Sequence, residues 1–131
     1  MGMQAAKNGV DIGIIVHDIQ TSLAFYEGQL GLKKVQELPL FFGTMHRLSF
    51  GDSFIKLIDP KEVPPAAAPG LHSLLGFRYI TFQVSNIDEL CADLSAAGAT
   101  FTMEKNEFMP GVTIAMVNDP DGNIVEFVQR A

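Results

Sequence analysis

Asp11-Ile12-Gly13-Ile14-Ile15-Val16-His17-Asp18-Ile19 returns about 70 residues later as Tyr79-Ile80-Thr81-Phe82-Gln83-Val84-Ser85-Asn86-Ile87. Each copy is a short alternating apolar run, then a polar cap, then the start of a helical pattern. Further on, Gly51-Asp52-Ser53-Phe54-Ile55-Lys56-Leu57 returns as Asp121-Gly122-Asn123-Ile124-Val125-Glu126-Phe127. A unit present twice is a duplicated supersecondary module, since a solenoid needs at least three repeats. Two equivalent halves can close around one shared cavity, so chemistry is sought where they meet.

The pattern around these stretches gives the elements. Val10 to Val16 alternates and is rich in Ile and Val, as a strand does. Asp18 opens a helix with Ile19, Leu23, Tyr26 and Leu30 on its apolar side, and Gly31 ends it. Lys33 to Leu38 is a strand, and Thr44–Phe50 and Ser53–Ile58 form a hairpin across Gly51-Asp52. The second half repeats this order. Tyr79 to Val84 is a strand, and Ser85 or Asn86 caps a helix carrying Ile87, Leu90, Cys91 and Leu94. Gly98 ends that helix, and Thr100 to Met103 is a strand. Val112–Val117 and Asn123–Val128 make a hairpin across Asp119-Pro120-Asp121-Gly122. The expected layout is a tail at 1–9, then one domain at 10–131. That domain comprises module one at 10–58, a connector at 59–77 and module two at 78–129. The proline-rich connector reads as a wall or lid rather than an idle linker.

Composition narrows the function classes. The chain has 131 residues, 47% of them hydrophobic, which supports a real core. A net charge of −6 leaves no basic stripe to neutralise phosphates, so no nucleic-acid partner is expected. No apolar run approaches a membrane span, and no signal peptide is read at the start. The single Cys91 cannot form an internal disulfide, which fits a cytoplasmic location.

Asp18-Ile19-Gln20-Thr21-Ser22-Leu23-Ala24-Phe25-Tyr26, followed by Leu30-Gly31-Leu32, resembles the first helix of the vicinal oxygen chelate superfamily. That superfamily includes glyoxalase I, bleomycin-resistance proteins and extradiol dioxygenases. Asp119-Pro120-Asp121-Gly122-Asn123, followed by Glu126, resembles its last hairpin. Together with the internal repeat, the resemblance spans Val10 to Gln129. It implies an α+β fold of two βαβββ modules forming a curved eight-stranded mixed sheet around a cup, and commonly a homodimer. It also implies a divalent-metal site with ligands from the first, fourth, fifth and eighth strands. Those positions here are Asp11, Lys56, Tyr79 and Glu126, and only Glu126 keeps the familiar type.

That departure shapes the functional expectation. A divalent site collects anionic or neutral donors, and a protonated lysine is neither. Lys56 is therefore expected to stand roughly in the metal's place, balancing Asp11 and Glu126, with Tyr79 donating to Glu126 or to a ligand. The plainer alternatives are a solvated lysine on an open sheet or a structural ion pair. Neighbouring carboxylates would raise the Lys56 pKa, which argues against a free-amine base.

The candidate catalytic residues are Glu126, Tyr79 and Lys56. The candidate substrate-binding residues are Asp11, His46, Phe54, Thr81, His72, Phe108 and Met109. Of His46 and Arg47, only one can point inward, and His46 is assigned to the cup by analogy with Lys56. Phe54, Phe108 and Met109 read first as core or dimer packing and second as pocket walls. No cofactor is expected; if a divalent metal binds, Asp11 and Glu126 hold it, and a set drawn from His17, His46 or His72 is the weaker variant. The leading function is a glyoxalase/bleomycin-resistance-like protein that acts on or binds a small organic molecule without the usual metal. A metal-dependent lyase of the lactoylglutathione lyase type is the alternative, ahead of a dioxygenase. A third class, a pure dimer or partner module, would fill its cup with its own side chains.

Overall fold

In the computed structural model, which describes residues 2–131, the chain divides into two units, Met1–Pro64 and Pro65–Ala131. Module one contains β1 (Ile12–Ile15), α1 (Ile19–Leu23), a π-helical segment (Ala24–Gln29), β2 (Lys33–Leu40), β3 (Gly43–Phe50) and β4 (Ser53–Pro60). Its sheet order is β1-β4-β3-β2, with β1 parallel to β4 and the other neighbours antiparallel. The helical stretch joins β1 to β2 at the opposite edge of the sheet.

The helix begins as its sequence predicts. Asp18 Oδ1 accepts hydrogen bonds from the backbone N–H groups of Gln20 (2.9 Å) and Thr21 (3.3 Å), satisfying two otherwise orphaned donors. The single α-helix expected through Leu30 is corrected: the α-form ends at Leu23 and a π-helical segment follows. Leu30 N–H donates to Phe25 C=O at 2.9 Å, five residues back. This wider turn brings the consecutive Phe25 and Tyr26 side chains inward together, both buried, with rings edge to face at 5.0 Å. They pack in a core that also holds Val16, Leu48, Ile55 and Leu57.

Module two contains β5 (Tyr79–Gln83), α2 (Ile87–Ala96), β6 (Phe101–Met109), β7 (Val112–Asn118) and β8 (Ile124–Arg130). Its order, β5-β8-β7-β6, is module one's order again, with β5 parallel to β8. Ile87, Cys91 and Leu94 form the buried stripe of α2, at helical spacing. Asn86 occupies the N-cap position, but its side chain makes no cap hydrogen bond. Instead Gln129 Oε1, from β8, accepts from Ile87 N–H at 2.7 Å. A long-range contact thus does the work that the sequence assigned to a local one.

The expected βαβββ modules are present. Their strands form two four-stranded ladders, where a single eight-stranded sheet was expected. Among the described residues, β1 pairs with β4 and β5 with β8, at the edges of their own ladders. Between Pro60 and Tyr79 no residue lies in a helix or strand. Among the described residues, no helix is long and apolar enough to cross a membrane.

Candidate functional site

Each sheet has one face toward its helix. On the other face, module one leaves Gly13, Ile15, Lys56 and Arg47 exposed or partly exposed, whereas in module two Ile114, Met116, Ile124 and Val128 around Glu126 are buried. Strand register decides which side chain goes where. In β4, Ile55 and Leu57 are buried, while Phe54, Lys56 and Ile58 alternate with them on the other side. Directly opposed residues share a face. Lys56 lies opposite Gly13 on β1 and opposite Arg47 on β3, so these three form one rung across the open face of module one.

His46 is not on that face. It pairs with Leu57 and is buried on the helix side, which corrects its assignment to the cup. Its Nδ1 lies 3.4 Å from Glu37 Oε1. The Lys34 ammonium, hydrogen-bonded to Glu37, holds that carboxyl below its ordinary range, with a smaller contribution from His46. The Gly51-Asp52 turn could have settled the matter. A two-residue loop pairs Phe50 with Ser53, and counting outward puts Arg47, not His46, opposite Lys56. Arg47, rather than His46, is the residue that shares a face with Lys56.

The surroundings of Lys56 also differ from expectation. Asp11 Oδ1 accepts from Lys7 Nζ at 2.6 Å and from Phe54 N–H at 2.9 Å. Lys7 is the main cause of its lowered pKa; burial opposes the shift, and Lys56 contributes least. The direct ionic partner of Asp11 is therefore Lys7, from the preceding tail, rather than Lys56. Phe54 carries two cations near its ring: Lys7 Nζ at 4.5 Å and the Arg47 guanidinium carbon at 5.2 Å from the centroid. Arg47 Nε is buried without a hydrogen-bond partner.

Beside Lys56 there is space. A Cβ built on Gly13 would meet only Ile58 Cδ1, at 3.9 Å. Further along the same face, Ile15, Phe42, Pro60, Lys61, Glu62 and Pro64 line an open hollow of about 400 Å³.

Module two places different chemistry at the equivalent rung. Glu126 pairs with Thr81 on β5 and Met116 on β7. Thr81 Oγ donates to Glu126 Oε1 at 2.6 Å. Glu126 thus takes its hydrogen bond from Thr81, where Tyr79 was the expected donor. Tyr79 stands two residues away on the same face, opposite Ile124, with about half of its surface exposed. Phe108 and Met109 are exposed rather than core residues. Met109 pairs with Val112, four residues along β7 from Met116, so these two lie about 13 Å along the ladder from the Glu126 rung. His72 is exposed in the segment without regular structure.

The known proteins that this chain resembles agree with the architecture. Residues 10–127 match the family described as the Glyoxalase/Bleomycin resistance protein/Dioxygenase superfamily. Uncharacterized protein YurT of Bacillus subtilis (strain 168) is 31% identical over 122 residues, 89% of this chain and 94% of that protein. A lactoylglutathione lyase of Salmonella typhimurium is 29% identical over 120 residues, 87% of this chain and 86% of that enzyme. Among solved structures, TnmS3, an antibiotic binding protein from Streptomyces sp. CB03234, superimposes with a TM-score of 0.73 at 23% identity, covering 98% of this chain and all of that one. The duplicated βαβββ unit, its sheet order and the match over residues 10–127 together make this chain a member of the glyoxalase/bleomycin resistance protein/dioxygenase superfamily.

Proposed function

We propose that this chain binds or transforms a small organic molecule without a divalent metal at the position its family commonly uses for one. The donor chemistry of four side chains supports this reading. The Lys56 ammonium has no lone pair to give and would repel a cation. Asp11 already accepts from Lys7 and from the Phe54 amide through one oxygen. Tyr79 presents a phenol, a weak ligand while protonated. Glu126 is a carboxylate donor of the familiar type, and Thr81 hydrogen-bonds to it. The residues present do not fit the metal, so no catalytic step is derived through one.

A binding role needs only a shaped surface with a few polar anchors. The open face of module one supplies apolar Ile15, Phe54 and Ile58 around Lys56 and Arg47. Within module two, Glu126, held by Thr81, is a carboxylate that can accept a proton or a ligand N–H. That TnmS3 is an antibiotic binding protein shows the same fold in a binding role. The competing reading, a metal-dependent lyase, draws on the name of the Salmonella relative and on Glu126, but needs a ligand where Lys56 stands. We also propose a homodimer, since Phe41, Leu75, Phe77 and Phe108 are large apolar side chains left exposed in the single chain.

Elemental analysis tests the central point. Protein purified without chelator, then incubated with nickel, zinc, manganese or iron(II), is expected to retain no stoichiometric metal. One tightly held ion per chain would overturn the reading and make lyase activity the first assay.

A further inference from the structure

We infer that the Gly13–Lys56–Arg47 rung is an anion-recognition site, and that the ligand of this protein is a small organic anion, carboxylate or phosphate, with an apolar body. This rests on the metal-independent reading above and specifies its ligand.

Two cations face each other directly across neighbouring strands, where like charges repel. Among the described residues of module one, no carboxylate lies within ion-pairing distance of either. The nearest candidate, Asp11, pairs with Lys7 instead. Arg47 is held over the Phe54 ring, and its Nε is a buried donor with nothing to donate to. Buried polar groups are nearly always satisfied, and this rung has two cations and an unpaired donor with no acceptor of its own. An oxyanion meets both demands, since guanidinium and ammonium both bind carboxylate and phosphate.

The shape of the face agrees. Gly13 leaves room beside Lys56, whereas Thr81 fills the corresponding place in module two. Gly13 has no positive φ, so conformation does not demand glycine there. The Ile15–Ile58 rung lies two residues on, about 7 Å along the strands, and leads into the hollow lined by Phe42, Pro60 and Pro64. An anionic head at Lys56 and Arg47 therefore puts an apolar body over apolar side chains, with Lys61 and Glu62 at the rim. The overall charge of −6 does not oppose this at physiological salt. Charges beyond about 8 Å are largely screened, and the local pair dominates.

Backbone-amide NMR titration of the full chain with benzoate and with its neutral isostere benzamide tests the inference, in chelator and again with added nickel or zinc. Benzoate is expected to shift the resonances of Gly13, Phe54, Lys56 and Arg47, and to bind at least tenfold more tightly than benzamide. Lys56→Gln and Arg47→Gln should each weaken it about ten- to a hundredfold, the usual scale for a charge-assisted hydrogen bond. Lys56→Gln should melt no lower than the parent, since it relieves the repulsion from Arg47. Gly13→Val should abolish binding while leaving the fold intact, and Lys105→Gln, in module two, should change nothing. Equal binding of benzoate and benzamide, or no shifts with either, would overturn the anion site alone. Benzoate binding that appears only with added metal and survives Lys56→Gln would overturn both this inference and the metal-independent reading.

Discussion

The two modules share one backbone plan and carry different chemistry on the sheet face away from the helix. In module one the central rung of that face reads Gly13, Lys56, Arg47; in module two it reads Thr81, Glu126, Met116. In module two the charged residue is satisfied inside the rung, by a hydroxyl 2.6 Å away. In module one the charged residues find no such partner in the rung, and the position that could have supplied one is glycine. Beneath both rungs the helix-facing strand positions are buried, Leu57 and His46 in one module and Phe127 and Ala115 in the other. Duplication thus kept a buried layer under each rung, while the charge carried by the rung changed sign.

The largest effects should come from the shared part. Phe127→Ala should cost about 3–5 kcal/mol and Leu57→Ala about 2–5 kcal/mol, because both leave cavities under a sheet. Chemical denaturation checks this. A loss under 1 kcal/mol at either position would show that the two cores are not equivalent.

The hairpin turns test the modules from another side. Asp119 is buried, and its carboxylate accepts from the N–H groups of Asp121 and Asn123 and from the Asn123 side-chain amide, at 2.8–2.9 Å. Asp119→Ala should cost about 1–3 kcal/mol through unsatisfied donors. Both turns hold a glycine at positive φ, Gly51 at 54° and Gly122 at 87°. Gly51→Ala should cost about 1–2 kcal/mol through backbone strain. Comparing the denaturation midpoints of Gly51→Ala and Asp119→Ala shows what the buried carboxylate adds to module two's turn.

Exchanging the rung residues comes next. Thr81→Val should lose about 1 kcal/mol with the Glu126 hydrogen bond. Gly13→Thr should be neutral or stabilising by up to about 1 kcal/mol, since glycine is a poor strand residue and the space is open. A marked loss on Gly13→Thr would mean that the glycine serves the fold.

The smallest effect is electrostatic. Lys7 beside Asp11 holds its carboxyl below the ordinary range. A lowered folded-state pKa favours the folded chain above the ordinary carboxylate range, and that contribution is lost as pH falls through Asp11's own lower value. The pair is exposed and salt-screened, so the readout is the NMR titration of Asp11 rather than a melting curve. Lys7→Gln should move that titration upward toward the ordinary range.

Much of the site was legible from periodicity. Which residues share a face of β1, β4, β5 and β8 follows from alternation, because a strand has only two sides. The positions of Asp11, Lys56, Tyr79 and Glu126 follow from the repeat. His46 was misplaced because the analogy with Lys56 was made without counting register through the two-residue turn. The Asp11–Lys7 and Thr81–Glu126 pairings escaped because each side chain had several partners within reach, and only packed geometry chooses among them. The π-helical segment escaped because the spacing of Ile19, Leu23 and Tyr26 suits an α-helix. It is the joint burial of Phe25 and Tyr26 that accompanies the wider turn.

By itself the sequence determined the duplicated βαβββ plan, the core-facing stripes, the turn positions and the loss of the usual donor at position 56. These depend on local period and on residue chemistry, which any stretch of chain carries with it. Tertiary structure alone decided that Gln129 caps α2, that Lys7 takes Asp11 and that Arg47 rests on Phe54 beside Lys56. Those are contacts between residues distant in sequence or on different strands. They form only when hydrophobic burial has fixed the backbone, because no local preference selects one distant partner over another.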